Sequence, residues 1–335
     1  MQIELQALKD LFKPQHNFLV VSHKSPDGDA VGSVVAFYRF LTNLSFKASI
    51  VLPDRPSDVL MHFLDPCPVI FYDEDEVETM NCFEEATVLI CLDFNTTSRV
   101  GSMQKLIEDF EGFTVMIDHH PNPDSYADII LSDVTNTSTC QLIFECIESM
   151  GLVHFIDKQT ATAIYLGMVT DTGSFRYPSV TSKTHRVISR LFDQGMEHWQ
   201  IHQQVFDNNR LDQLKLRGYA IAEKLTLLNT HQIPFGYIAL TAEELNRFNY
   251  RAGDTEGLVN IIISIEGIKA GVLILEKSDG IKMSFRSKDG VFVNEFVKQY
   301  FNGGGHNYAA GGYSKDSMEV TISRLISLIP SIFNK

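Results

Sequence analysis

Phe18-Leu-Val-Val-Ser22-His-Lys-Ser-Pro-Asp-Gly-Asp-Ala-Val-Gly-Ser33 runs from an apolar stretch through a polar turn into a helical pattern. The apolar residues before Ser22 read as a strand, and residues 29–44 as the helix that follows. The same rhythm continues downstream. Residues 48–52, 69–72, 87–93, 114–118 and 129–131 are further strand candidates, with helices between most of them, notably 102–110 and 138–150. Such alternation predicts an α/β fold of βαβ units, a mostly parallel sheet covered by helices on both faces. Ligands of these sheets bind at the carboxyl ends of the strands, which is where the polar turn falls.

The remaining sequence divides into two parts. Helical patterns dominate at 158–169, 182–194, 198–206 and 210–228, the last expected to carry the chain into a second domain. After Pro234 strands return at 235–240, 270–276 and 282–286, followed by helices at 293–300 and 317–333. A chain of 335 residues exceeds what one core usually supports. The expected organisation is a domain at 1–195, a helical linker at 196–228 and a smaller α/β domain at 229–335, with a cleft between the domains.

Composition narrows the function. The chain carries 28 Lys+Arg against 42 Asp+Glu, a net charge of −14 that argues against a coat for duplex DNA. The excess is located: residues 1–225 hold 17 basic and 31 acidic side chains, whereas residues 226–335 hold 11 of each. Five cysteines without a CxxC pair read as free thiols in a reducing compartment. The start Met1-Gln-Ile-Glu-Leu-Gln lacks a basic stretch and apolar core, so no secretory signal is expected. No apolar run approaches the roughly 20 residues of a membrane span, and the expectation is a soluble, cytoplasmic protein. Trp199 is expected in the core or in inter-domain packing.

Four segments carry candidate chemistry. In the first, Pro26 and Gly28 ease a turn that can aim His23, Asp27 and Asp29 at one spot. A capping role would account for Asp29 alone. Gly32 and Ser33 are expected in the first helical turn, whose free N–H groups favour anions. Next, Leu89-Ile-Cys-Leu-Asp93 ends an apolar strand in a carboxylate that could ligate a metal or cap the next turn. In Thr114-Val-Met-Ile-Asp118-His119-His120, neighbouring side chains cannot share a face. One histidine can therefore ligate metal while the other addresses substrate. Finally, Asp171 lies just before Gly173, a helix stop, where a carboxylate is unfavourable unless something positive compensates. Together, His23, Asp27, Asp29, Asp93, His119 and Asp171 give two imidazoles and four carboxylates. This set suits Mn²⁺ or Mg²⁺ better than structural zinc. Six ligands suit two ions sharing a carboxylate, the arrangement that serves phosphoryl transfer.

Pro26-Asp-Gly-Asp-Ala, the strand-end Asp93, Asp118-His119-His120 and Thr170-Asp171-Thr resemble the four motifs of the DHH phosphoesterase superfamily. Gly303-Gly-Gly-His306-Asn-Tyr-Ala-Ala-Gly311 resembles the signature of its DHHA1 substrate domain. With Asp254-Thr-Glu-Gly-Leu-Val259, the chain is similar to the nanoRNase branch, whose members also dephosphorylate 3′-phosphoadenosine 5′-phosphate (pAp). The resemblance implies one ion on His23, Asp27 and Asp93, and a second on Asp29, Asp93, His119 and Asp171. It implies two divalent ions, Mn²⁺ first with Mg²⁺ or Co²⁺ as alternatives. His120 would face the scissile phosphate and Asp118 would orient its neighbours. Gly303, Gly304, Gly305 and His306 would approach a substrate anion, with Arg286 and Arg99 as guanidinium clamps. The implied substrates are short single-stranded RNA and pAp, with a homodimer as a further expectation. The alternatives are hydrolysis of cyclic dinucleotides or their linear products, and a catalytically silent nucleotide sensor.

Overall fold

The computed structural model describes residues 2–228 and 233–333. It forms two compact units, Met1–Asn208 and Asn209–Lys335. In the first, strands β1 (Asn17–Val21), β2 (Lys47–Leu52), β3 (Val69–Phe71), β4 (Val88–Leu92), β5 (Phe113–Asp118) and β6 (Ile129–Ser132) form one sheet, ordered β3-β2-β1-β4-β5-β6. Every pairing is parallel. The order reverses between β1 and β4, and that switch point opens a crevice at the strands' carboxyl ends.

Burial on both faces explains the apolar strands. Phe18, Val20, Ile50, Val88 and Ile90 belong to a core shared with the helices Gly28–Asn43, Thr139–Ser149 and Lys158–Asp171. The alternate residues Leu19, Val21, Val51, Leu89 and Cys91 face the opposite way, onto Phe83, Phe94, Val100 and Met103. The sheet therefore has no solvent face, and its strands need no polar alternation.

Asp157 ties two of these helices together. Its Oδ1 accepts from Thr160 N at 2.8 Å, capping Lys158–Asp171, while Oδ2 accepts from Arg39 Nη2 on Gly28–Asn43 at 2.7 Å. Burial opposes the charged carboxylate, but Arg39 and Thr160 outweigh it and hold the pKa well below the usual Asp range. A depressed carboxyl contributes stability that is full above the ordinary Asp value, about 4, and is lost as acid protonates the folded state. Asp157→Ala is expected to cost about 1–2 kcal/mol at neutral pH. Urea melts at pH 7 and pH 3 should show that deficit shrinking in acid.

In the second unit, β7 (Leu225–Leu227), β8 (Phe235–Leu240), β9 (Ala270–Lys277), β10 (Gly280–Ser287), β11 (Gly304–His306) and β12 (Ala309–Ser314) form a mixed sheet, ordered β11-β12-β10-β9-β8-β7. Only β8 and β9 pair in parallel. Ile281, Met283, Phe285 and Ala310 enter one core, and Ile238, Leu240, Leu273 and Leu275 enter another with Leu258 and Ile262.

Several local expectations are corrected. The helix expected over 210–228 ends at Tyr219; a π-helical turn follows, and Leu225-Thr-Leu227 pairs with β8 instead. The segment 102–110 is a 3₁₀ stretch, Thr97–Met103, broken at Gly101 and followed by a short helix, Gln104–Glu108. Trp199 is 55% exposed and belongs to none of the four hydrophobic clusters, so the expected core placement is not met. Among the described residues, no helix is long and apolar enough to cross a membrane.

Candidate metal centre

Three loops at the carboxyl ends of β1, β4 and β5 converge with the end of the Lys158–Asp171 helix. His23 follows β1, Asp93 follows β4, and Asp118 closes β5 ahead of His119 and His120. Asp93 adopts a left-handed backbone with φ +65°, fixed by its N–H donating to Ile117 O at 3.1 Å. A non-glycine residue in that region is unusual, and such geometry collects at functional sites.

Asp93 stands between two sets of donors. Its Oδ2 lies 3.4 Å from His23 Nε2, and that nitrogen is 3.9 Å from Asp27 Oδ1. Its Oδ1 lies 3.8 Å from His119 Nε2, which in turn is 3.4 Å from Asp171 Oδ2 and 3.9 Å from Asp29 Oδ2. The ligand atoms fall into groups that could each hold a metal ion: His23, Asp27 and Asp93; Asp29, His119 and Asp171; and Asp93, His119 and His120.

The imidazoles are pre-set for this role. His23 Nδ1 is 2.9 Å from Lys24 O and His119 Nδ1 is 3.3 Å from Asn136 O. A carbonyl can only accept, so each Nδ1 carries the proton and each Nε2 offers a lone pair to the carboxylate cluster. Among the described residues, buried His23 Nε2 has no hydrogen-bond partner, although carboxylates surround it. A cation inside the cluster would satisfy that nitrogen and offset the negative charge.

The charge balance points the same way. Burial and the charges of Asp93, Asp171 and Asp27 push the Asp29 carboxyl well above its ordinary range. For Asp93, burial acts upward too, but His23 and the other imidazoles prevail and hold it well below. For His23, burial opposes the charged ring, and the Asp93 and Asp27 carboxylates outweigh it, raising the pKa. Two fully buried acids driven apart in this way form a site short of positive charge.

Helix Thr139–Ser149 supplies what the motifs alone did not indicate. Its first N–H groups donate to Asp29, Thr139 N to Oδ2 at 2.6 Å and Cys140 N to Oδ1 at 3.0 Å. The Thr139 hydroxyl donates to Asp93 Oδ1 at 2.9 Å. The anion-facing helix terminus is therefore this one. Gly32 and Ser33, expected in that role, lie beyond the first turn of Gly28–Asn43 and are buried. The cap of that helix is Asp27, not Asp29: Asp27 Oδ1 accepts from Asp29 N and Ala30 N. Gly28 is its first helical residue and packs against Thr170.

Gly167 shows how tightly the helices meet here. A Cβ at this position would lie 2.3 Å from Cys140 Sγ and 2.4 Å from Asp29 Oδ1. Gly167→Ala must displace both of them, at a cost of roughly 1–3 kcal/mol. A lower Tm together with weaker Mn²⁺ binding by calorimetry is the expected pair of results.

His120 stands apart from His119 in its partners. Its Nδ1 is 2.8 Å from Asp118 Oδ1, and its backbone N–H donates to Asp118 Oδ2 at 2.9 Å. Its Nε2 is 3.0 Å from Arg99 Nη1. The two rings lie close, 4.6 Å between centroids. A carboxylate behind and a guanidinium in front give Nδ1 the proton and leave Nε2 as an acceptor.

The remaining substrate candidates lie in the second unit. Arg286, on β10, is opposite Ala309 of β12, which is opposite His306 of β11. The His306 side chain lies outside the described residues. The glycines expected as an anion-binding loop form an edge strand: Gly304 and Gly305 pair with Gly311 and Ala310. A Cβ on Gly303 would meet Gly311 O at 1.9 Å, so close strand approach requires that glycine. The Asp254 turn is internal: Asp254 is buried, accepts from Arg251 N at 2.7 Å and pairs with Arg210.

Residues 17–168 match the DHH family N-terminal domain, and residues 235–335 match the DHHA1 domain. A solved structure, an exopolyphosphatase-related protein from Bacteroides fragilis, superimposes with a TM-score of 0.93 at 32% identity, covering 100% of this chain and 98% of that one. The chain belongs to the DHH family. The matched DHH segment supplies every member of the carboxylate–imidazole cluster except Asp171, and the DHHA1 domain carries Arg286 and the glycine-rich strand. Asp171 falls three residues past the matched DHH segment, yet joins its cluster. The chain is 29% identical to the bifunctional oligoribonuclease and PAP phosphatase NrnA of Bacillus subtilis, over 91% of this chain and 92% of that protein. It is 27% identical to the protein of the same name from Thermus thermophilus, over 94% and 88%.

Proposed function

We propose that the chain is a divalent-metal phosphoesterase that hydrolyses short RNA oligonucleotides to mononucleotides and removes the 3′-phosphate of pAp to give AMP. The observation that carries this reading is Asp93, with one carboxylate oxygen turned to each of two donor groups. Likeness to relatives named oligoribonuclease and PAP phosphatase, over about nine-tenths of the chain, supports the substrate class.

His23, Asp27 and Asp93 would hold one cation, and Asp29, Asp93, His119 and Asp171 the second. Carboxylate oxygens with imidazole favour Mn²⁺, with Mg²⁺ or Co²⁺ as alternatives. Bound there, such ions polarise a phosphate and acidify water. Thr139 and the start of its helix hold Asp29 and Asp93 in place. Thr139→Val should therefore weaken Mn²⁺ binding about tenfold, and Thr139→Ser should restore it, as read by calorimetry.

His120 is held by Asp118 through Nδ1, and once Nε2 also carries a proton that N–H would donate to a phosphoryl oxygen or to the leaving oxygen. Arg99, beside that nitrogen, is placed to take a phosphate oxygen, and its planar fork suits the task. In the DHHA1 domain, Arg286, Gly303, Gly304, Gly305 and His306 would contact the substrate away from the reacting bond. The five free cysteines fit a reducing, cytoplasmic setting.

Assaying a linear ribodinucleotide, a cyclic dinucleotide and pAp side by side tests the reading. The linear dinucleotide and pAp are expected to turn over with Mn²⁺. Preference for the cyclic compound would reassign the substrate.

A further inference from the structure

The mixed sheet of the DHHA1 domain leaves part of one face uncovered. Along β10, Ile281, Met283, Phe285 and Ser287 are buried, whereas Lys282 is exposed and Ser284 and Arg286 are half-buried. The partners of the latter set on β12 are Tyr313, Gly311 and Ala309. Gly311 in turn faces Gly304 on β11. The helix Leu258–Ser264 packs on β8, β9 and β10. Beyond it, the cross-strand neighbours of Arg286 and Ser284 are the small residues Ala309 and Gly311, and Arg286 Nη1 donates to Phe285 O at 2.9 Å.

Two exposed aromatic residues flank these strands, Phe292 in the loop after β10 and Tyr308 just before β12. Phe292 is 50% exposed and Tyr308 is 44% exposed, with ring centroids 5.4 Å apart and planes inclined by 55°. Their backbone is fixed. Tyr308 O accepts from Ser287 N at 3.0 Å, directly after Arg286, and Asn307 O accepts from Val293 N at 2.8 Å. Ser287 Oγ donates to Val291 O at 2.6 Å, closing the loop that carries Phe292. Exposed aromatics are costly to leave in water, and a tilted pair held by the backbone leaves ring surface available to a third planar group.

We propose that Phe292 and Tyr308 form a nucleobase-stacking site. The occupant is one base of a short RNA. A planar, sequence-tolerant aromatic ligand fits the rings. The inference rests on the function proposed above and deepens it. Stacking on a ring pair is indifferent to which base is present, so the chain should accept ribodinucleotides of any sequence. It also gives binding energy remote from the reacting phosphate, which appears in KM rather than kcat.

The test uses the full-length protein with Mn²⁺ and three substrates: the 5′-phosphorylated diadenosine ribodinucleotide and two analogues, each with one base removed. For the Phe292→Ala/Tyr308→Ala double variant, KM on the intact dinucleotide should rise about tenfold or more with kcat nearly unchanged. One abasic analogue should bind the wild type as weakly as the intact dinucleotide binds the double variant, and should not respond to the substitutions. Phe292→Tyr and Tyr308→Phe, which keep both rings, should behave as wild type. Calorimetric binding of the dinucleotide to the protein in EDTA should show the same loss in the double variant, independently of turnover. Wild-type turnover with unchanged KM and unchanged binding in the double variant would overturn the stacking site and leave the functional reading standing. Absence of wild-type turnover on any ribodinucleotide would overturn both.

Discussion

Replacing Asp93 with alanine is expected to lower kcat/KM on a ribodinucleotide by about 10⁴-fold. Each of its oxygens faces a different donor group, 3.4 Å from His23 Nε2 and 3.8 Å from His119 Nε2. One substitution therefore damages both. Metal charge supplies several kcal/mol to a phosphoryl transition state, and each 1.36 kcal/mol is tenfold in rate. Losing about 5–6 kcal/mol gives the stated figure. A second readout separates metal loss from misfolding. Cations binding the cluster should raise the wild-type Tm by mass action, equivalent to about 2.7 kcal/mol at 100 times Kd. In Asp93→Ala that rise should shrink sharply while the metal-free Tm remains measurable. Near-normal activity in a folded Asp93 variant would remove the shared-carboxylate account.

His120→Ala is the second large effect, about 10²–10³-fold in kcat with little change in Mn²⁺ affinity. The difference from His119 follows from geometry. His119 Nε2 points among Asp29, Asp93 and Asp171, whereas His120 is held by Asp118 through Nδ1 and faces Arg99 through Nε2. His119→Ala should lose metal affinity as well as rate. If both variants lost metal equally, His120 would be a ligand and its substrate role would fall.

The parallel sheet was legible because its strands are buried on both faces, so runs such as Val88–Leu92 are wholly apolar. Their ends could be read too, because each site residue sits where an apolar run meets a polar cluster. Less was legible where polarity hides structure. The helix Glu76–Glu85 has an acidic sequence and buries only Thr79 and Phe83, so periodicity barely marks it. Strands β11 and β12 are rich in glycine and alanine, which read as loop, although close strand approach is what selects those residues. Thr139 was invisible for another reason. A single hydroxyl acting on Asp93 leaves no spacing pattern; the Ser138-Thr-Cys start of a helix was the available signal. The charge excess of residues 1–225 also found a physical location, since five of its carboxylates, Asp27, Asp29, Asp93, Asp118 and Asp171, lie in or beside the candidate metal centre.

The most direct test of the central claim is product analysis on an end-labelled RNA dinucleotide, using protein dialysed against EDTA and then titrated with Mn²⁺. The account predicts no turnover in the chelated state and conversion to mononucleotides as Mn²⁺ is restored. Turnover that ignores chelation, or no mononucleotide at any Mn²⁺ concentration, would contradict it.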